Sequence, residues 1–123
     1  MSVEQRKALE TQTMALQALQ SELARIVADR QKLDSQQQEN ELVQKELEIL
    51  GDDTRVYKMI GPVLVPQDKD EARANVEKRL EFIRDEIARA DQKVEQMSKD
   101  QEKASVELFK LQMDIQGINN KGK

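Results

Sequence analysis

Helix breakers are confined to a narrow part of this chain. Gly51, Gly61, Pro62 and Pro66 fall within one 16-residue window, and the other two glycines, Gly117 and Gly122, lie near the end. Residues 1–50 and 67–116 therefore contain neither Gly nor Pro. Two long helices of near-equal length around a short non-helical middle follow from that spacing. Composition agrees, because aromatics are 2% of the 123 residues (Tyr57, Phe82 and Phe109) and charged residues are 36%. A compact core normally draws much of its buried area from aromatics, so the chain reads as coiled coil and as one domain at most.

Residues 67–116 carry the cleaner period. Val76, Leu80, Ile83, Ile87, Ala90, Val94, Met97, Gln101, Ala104, Leu108, Leu111, Ile115 and Ile118 alternate in steps of four and three. Only a 3.5-residue repeat keeps one seam facing a partner helix over such a distance. Asp85/Arg89 and Glu95/Lys99 are spaced to pair across one turn of the solvated face. In the first stretch Leu9, Leu16, Leu19, Leu23, Ile26 and Leu33 fit a heptad frame that Gln12 and Arg30 interrupt. The frame is expected to slip through Gln36-Gln37-Gln38-Glu39 and resume as Asn40, Val43, Leu47 and Leu50. Asn40 on the seam either fixes register or is an ordinary wetted position.

Residues 51–68 change character. Gly51 is expected to supply a left-handed helix end, followed by an aspartate turn at Asp52-Asp53. Arg55-Val56-Tyr57-Lys58-Met59-Ile60, Gly61-Pro62 and Val63-Leu64-Val65 then form a β-hairpin signal. Pro66 stops the second strand or places it at an edge, and Asp68 or Asp70 caps the next helix. The hairpin turns the chain back, so the helices run antiparallel and residue i faces roughly 119 − i. Leu9 then lies near Leu111, Leu23 near Met97, Leu33 near Ile87 and Val43 near Val76. Both termini lie at a common tip, about 70–75 Å from the hairpin at 1.5 Å per residue.

Two surfaces stand out. The hairpin is apolar on both faces, through Val56 and Ile60 on one and Tyr57 and Met59 on the other, and Val63-Leu64-Val65 shares this character. A lone two-stranded hairpin is marginal in water and its open edges invite aggregation, so Val56, Tyr57, Met59, Ile60, Val63, Leu64 and Val65 read as a subunit interface that completes a larger sheet. At the tip, Val106, Phe109 and Met113 recur off the seam, with Met14 in a comparable place on the first helix. Together with Leu9, Leu16, Ile115 and Ile118 they read as a binding surface; packing on a neighbouring chain or simple fraying is the alternative. Phe82, also off the seam, is expected to pack under the sheet.

Catalytic chemistry has no foothold in these residues. With no His or Cys the usual zinc ligands, the common general base and the thiol nucleophile are missing, and Ser98 and Ser105 have no base partner. Asp52/Asp53 and Asp85/Glu86 read as turn and solvated-face pairs. There is no P-loop or G-x-G-x-x-G, and neither a metal nor a cofactor is expected; the chain reads as a non-enzyme. Residues 1–50 carry 6 basic and 9 acidic groups, 51–68 carry 2 and 3, and 69–123 carry 12 and 12. No segment is basic, which argues against nucleic acid and an anionic membrane. No apolar run reaches membrane-span length, and the polar Met1 to Leu9 is not a secretory signal, so an intracellular protein is expected.

The plan helix–hairpin–helix around Val56-Tyr57-Lys58-Met59-Ile60-Gly61-Pro62-Val63-Leu64-Val65 resembles the β-class subunits of the prefoldin family. The continuation Glu71-Ala72-Arg73-Ala74-Asn75-Val76-Glu77-Lys78-Arg79-Leu80-Glu81-Phe82-Ile83 narrows the resemblance to the eukaryotic subunit-6 type. It covers nearly the whole chain and is most specific over residues 56–83. The resemblance implies a mainly α fold: a long antiparallel two-helix coiled coil joined by one β-hairpin that contributes to an intersubunit β-barrel. It implies a cytoplasmic heterohexamer of two α-class and four β-class subunits, a chaperone whose coiled-coil tips hold unfolded actin and tubulin. Delivery to the group II chaperonin would then proceed without ATP hydrolysis by the hexamer. Residues 119–123 would be a short, disordered polar tail. An antiparallel coiled-coil scaffold or adaptor without chaperone activity explains the heptads equally well but leaves the two-faced hairpin unexplained.

Overall fold

The computed structural model describes residues 1–51 and 53–121, without the side chains of 118–121. Its elements, in chain order, are α1 (Val3–Ile49), β1 (Val56–Ile60), β2 (Val63–Gln67) and α2 (Lys69–Lys121). α2 thus continues past Ile118 into the stretch expected as a tail. The chain divides into two compact units, one of residues 30–89 and the other of residues 1–29 with 90–123.

Helix ends are held by specific donors and acceptors. Ser2 precedes α1, its Oγ accepting from Gln5 N at 3.1 Å while Gln5 Oε1 accepts from Ser2 N at 2.9 Å. This reciprocal pair satisfies two otherwise orphaned groups. At the other end α1 has no basic residue in its last turn; cations come from α2 instead. Arg73 donates to Leu47 O through Nε (3.3 Å) and Nη2 (3.0 Å), and Lys69 Nζ donates to Gly51 O. These contacts satisfy terminal carbonyls and oppose the negative end of the helix dipole. Gly51 is not left-handed, contrary to expectation: Gly61 alone has positive φ among the described residues. Where the chain leaves α1, Thr54 N donates to Gly51 O (3.1 Å). Asp52 lies outside the described residues.

In the unit of residues 30–89 the helices are antiparallel. Leu47 meets Ala72, Val76 and Leu80 in its buried core, against which Leu50 and Val56 pack, and Glu41 pairs with Arg84 at 3.3 Å. Leu80 is fully buried. The seam of α2 is as expected, with each of the described positions from Val76 to Ile115 buried or half-buried. The seam of α1 differs. Gln12, Leu16, Leu19, Leu23, Ile26, Arg30, Leu33, Gln37, Asn40, Gln44 and Leu47 are all buried or half-buried, in unbroken steps of four and three. The expected slip therefore does not occur, and Gln37 occupies the heptad position where it was placed. Val43 falls off the seam at 42% exposed, and Leu47, 8% exposed, takes its place against Val76. Asn40 donates from Nδ2 to Gln36 O within its own helix (2.7 Å), which is the wetted-position alternative.

Polar residues on a seam have a cost, since Gln12 Oε1 is buried with no hydrogen-bond partner among the described residues. On the solvated faces Glu95 pairs with Lys99 (3.4 Å) as expected, whereas Arg89 turns to Glu86 rather than Asp85.

The revised frame predicts that Leu47→Ala costs about 2–4 kcal/mol and Val43→Ala less than about 1 kcal/mol. Chemical denaturation followed by circular dichroism measures both, and equal losses would restore the slipped frame.

Candidate functional site

The hairpin is built around its turn. β1 and β2 pair antiparallel as Val56↔Gln67, Tyr57↔Pro66, Lys58↔Val65, Met59↔Leu64 and Ile60↔Val63. Two residues link the strands: Gly61, at φ +58°, and Pro62. A positive φ followed by the φ near −65° that a proline ring imposes is the type II′ arrangement, whose twist matches that of the strands it joins. Glycine takes the first position at little steric cost.

From this turn the pairing alternates. Ile60↔Val63 is a hydrogen-bonded pair, Met59↔Leu64 is not, and Tyr57↔Pro66 again is not. Pro66 therefore sits inside β2 without breaking a ladder bond, so it does not stop the strand; the edge alternative holds. The outer edges of the two strands differ as a result. β1 offers outward N–H and C=O groups at Tyr57 and Met59. β2 offers both at Leu64 but only a carbonyl at Pro66.

The two faces are also unequal. Val56 packs on the helical core and Gln67 is half-buried, so one face touches the helices at its base. Tyr57, Met59 and Leu64, on the other face, are all exposed, Met59 at 67%. Ile60, Val63 and Val65 share the face of Val56 and leave it apolar and exposed beyond the base. Phe82 does not pack under the sheet: it is 63% exposed on the outside of α2. Beneath the hairpin lies an open cleft of about 490 Å³, walled by both strands, α1 and α2.

In the unit formed by residues 1–29 and 90–123 the expected surface separates into two groups. Met14 (68%), Val106 (47%), Phe109 (61%) and Met113 (51%) are exposed. Leu9 and Leu16 are half-buried seam residues, and Ile115 is 8% exposed. Ile115 is thus withdrawn from the accessible surface, because helix pairing already uses it. The Ile118 side chain lies outside the described residues. Val106 borders shallow grooves shared with Lys99, Glu102, Lys103, Glu107 and Lys110, and with Ser98, Gln101 and Ser105.

Electrostatics add no reactive group. The Arg25 guanidinium hydrogen-bonds Glu22 and holds that carboxyl below its ordinary value, with Lys93 a smaller contribution. Folding therefore gains from this pair above the ordinary carboxylate range and loses the gain as pH falls through the lowered value. Both side chains remain largely open to water, which keeps the effect small. Among the described residues no group of His, Cys, Asp or Glu is placed to hold a metal ion, and no helix is long and apolar enough to cross a membrane.

A family model described as "Prefoldin subunit" matches residues 4–115. The chain belongs to the prefoldin family. It is 47% identical over 95 residues to "Prefoldin subunit 6" of Saccharomyces cerevisiae, covering 77% of this chain and 83% of that one. Identity to "Prefoldin subunit 6" of Arabidopsis thaliana is 43% over 110 residues, covering 89% and 85%. For the Homo sapiens protein of the same name it is 38%, with the same coverage. The fold matches the crystal structure of the prefoldin beta subunit from Thermococcus strain KS-1 with a TM-score of 0.76, at 22% identity over 82% of this chain and 89% of that one. The beta2 subunit from that strain gives 0.64, at 25% identity over 74% and 97%.

As a prefoldin-family chain, it carries features its heptads alone did not reveal. The Ser2–Gln5 capping box was legible as S-x-x-Q. The cations that Arg73 and Lys69 lend to α1 had no local signal, because their acceptors lie far away in sequence. The turn predicts that Gly61→Val destabilises the hairpin by about 1–2 kcal/mol, since a β-branched residue resists positive φ. Amide exchange at Lys58 and Ile60 should then quicken while Leu80 and Ile83 stay protected.

Proposed function

We propose that this chain is a β-class subunit of a cytoplasmic, hexameric prefoldin that captures non-native proteins and passes them to the group II chaperonin without hydrolysing ATP. The exposed hairpin carries the reading. A two-stranded sheet with apolar residues on both faces and two open edges is poorly suited to standing alone in water. Strands from α-class and β-class subunits would pair with those edges and form a barrel whose interior takes one apolar face. The family match supports assembly with other prefoldin subunits, and the Thermococcus beta subunits share the fold that presents the hairpin. A freestanding scaffold would have no use for this surface.

Client capture is assigned to Met14, Val106, Phe109 and Met113. Each lies off the seam, so it can touch a partner without unpairing the helices. Methionine and phenylalanine offer flexible and broad apolar contact respectively, which suits varied unfolded segments better than one fixed shape. Such a patch binds weakly by itself. Several patches tethered in one assembly raise the local concentration of sites and hold a chain by avidity. Release then requires only that contacts open one at a time. Actin and tubulin are the clients this reading names, on the family resemblance. A non-enzymatic role is supported by the lack of any His, Cys or nucleophile–base pair.

Val63→Asp tests the assembly. Co-expressed with the other subunits, it should leave helicity intact and abolish the hexamer on native mass spectrometry; a normal hexamer would refute the strand's role. Phe109→Ser with Met113→Ser tests capture. The hexamer should form, and its suppression of aggregation of denatured actin should fall several-fold. Full suppression by the assembled double variant would remove both residues from the client surface.

A further inference from the structure

The cleft beneath the hairpin has a charge pattern that the hairpin's own pairing does not explain. Val43, Val56 and Val76 form its apolar floor, and Lys58, Lys78 and Arg79 stand around it without a carboxylate among the lining residues. None of these three cations makes an ion pair among the described residues. Arg79 has Asn75, Val76, Phe82 and Ile83 at three and four residues' distance along α2, so no carboxylate is in helical reach of it, whereas Lys78 has Glu81 three residues on and forms no ion pair with it. Lys58 lies opposite Val65 in the sheet. Asn75, Lys78, Arg79 and Phe82 share one face of α2, which carries the cationic rim outward to an exposed aromatic ring.

We propose that this cleft and the adjoining Phe82 face form a second subunit contact, separate from strand pairing, that receives an apolar side chain flanked by carboxylates from a non-identical subunit. The inference rests on the assembly proposed above. Continuity with the hairpin puts the cleft beside whatever chain pairs with β1 or β2. Charge selects the occupant: an apolar residue fills the valine floor while its neighbouring carboxylates meet Lys58, Lys78 and Arg79. A second copy docking through the same face would bring like charges together, which disfavours it. Arg79 and Phe82 add an aromatic plane and a fork of donors, the residue types that dominate contact energies at interfaces.

The test uses the full chain co-assembled with the other subunits. A zero-length carbodiimide reagent joins a lysine Nζ to a carboxylate as an amide, taking up the water lost, and peptide mass spectrometry locates the bond. Lys58 or Lys78 should be joined to an Asp or Glu of a different subunit. Lys78→Glu with Arg79→Glu should leave the helicity of the isolated chain unchanged. It should also raise the concentration at which the complex dissociates about tenfold or more and reverse part of its salt sensitivity. Lys78→Arg should behave as wild type. The proposal is overturned if the complex forms but links from these lysines stay within the chain or reach a second copy. An unchanged dissociation midpoint in the charge-reversed double variant overturns it as well. In both cases the assembly reading survives, whereas a wild-type chain that joins no other subunit removes both.

Discussion

A seam that repeats every 3.5 residues is the constraint on which the rest of this chain depends. It requires one face of α1 to stay in register along the whole helix, whatever side chains fall on it. α2 meets the requirement almost entirely with apolar residues, while α1 places Gln12, Arg30, Gln37, Asn40 and Gln44 on the same line. Those positions are accommodated rather than avoided, because leaving the frame would turn the helix away from its partner for every residue beyond. Apolar burial is therefore uneven. In the unit of residues 30–89 it concentrates in Leu47, Ala72, Val76 and Leu80, next to the hairpin.

That concentration gives the hairpin its footing. Val56 packs on the core and Arg73 ties α2 to the end of α1, so the base of the sheet is anchored while its far half projects. Gly61 and Pro62 set the register, and the register decides which backbone groups point outward. Pro66 then makes the two edges chemically unequal without weakening the pairing between them. A sheet so small is completed by other strands or remains a hazard, and the asymmetry gives an assembling partner a difference to read.

Much of this was legible in the sequence. Breaker placement gave both helices and the strand boundaries to within a few residues, and the α2 heptads were read correctly from Val76 to Ile115. Leu80 and Ile83 were on the expected seam. The α1 frame was misread because apolar residues were followed in preference to spacing: Val43 attracted the seam, although the unbroken four-three rhythm ran through Gln37, Asn40 and Gln44. A glutamine can sit half-buried on a seam with its amide turned toward solvent, so hydropathy alone misplaces such a frame. Phe82 failed for a similar reason, an aromatic ring being assumed buried. The absence of a carboxylate at helical spacing from Arg79 was legible, but its meeting with Lys58 and Lys78 around one cleft was not, since that depends on strands and helices brought together from distant segments.

The division between seam and off-seam residues also decides which large apolar side chains stay exposed. Ile115 and Phe109 are both large and apolar, yet helix pairing buries one and leaves the other open. A residue used to hold two helices together can meet a client only by breaking that contact, so its affinity would be reduced by the cost of opening. Val106, Phe109 and Met113 avoid that cost by lying on another face. Exposed apolar side chains at such positions would lower the stability of the free chain little, since they are solvated in the unfolded state as well. Lysines and glutamates interleaved with them keep the patch small and soluble. Under the function proposed above, such a surface would make only weak contacts, and strength would come from joining several of them in one assembly.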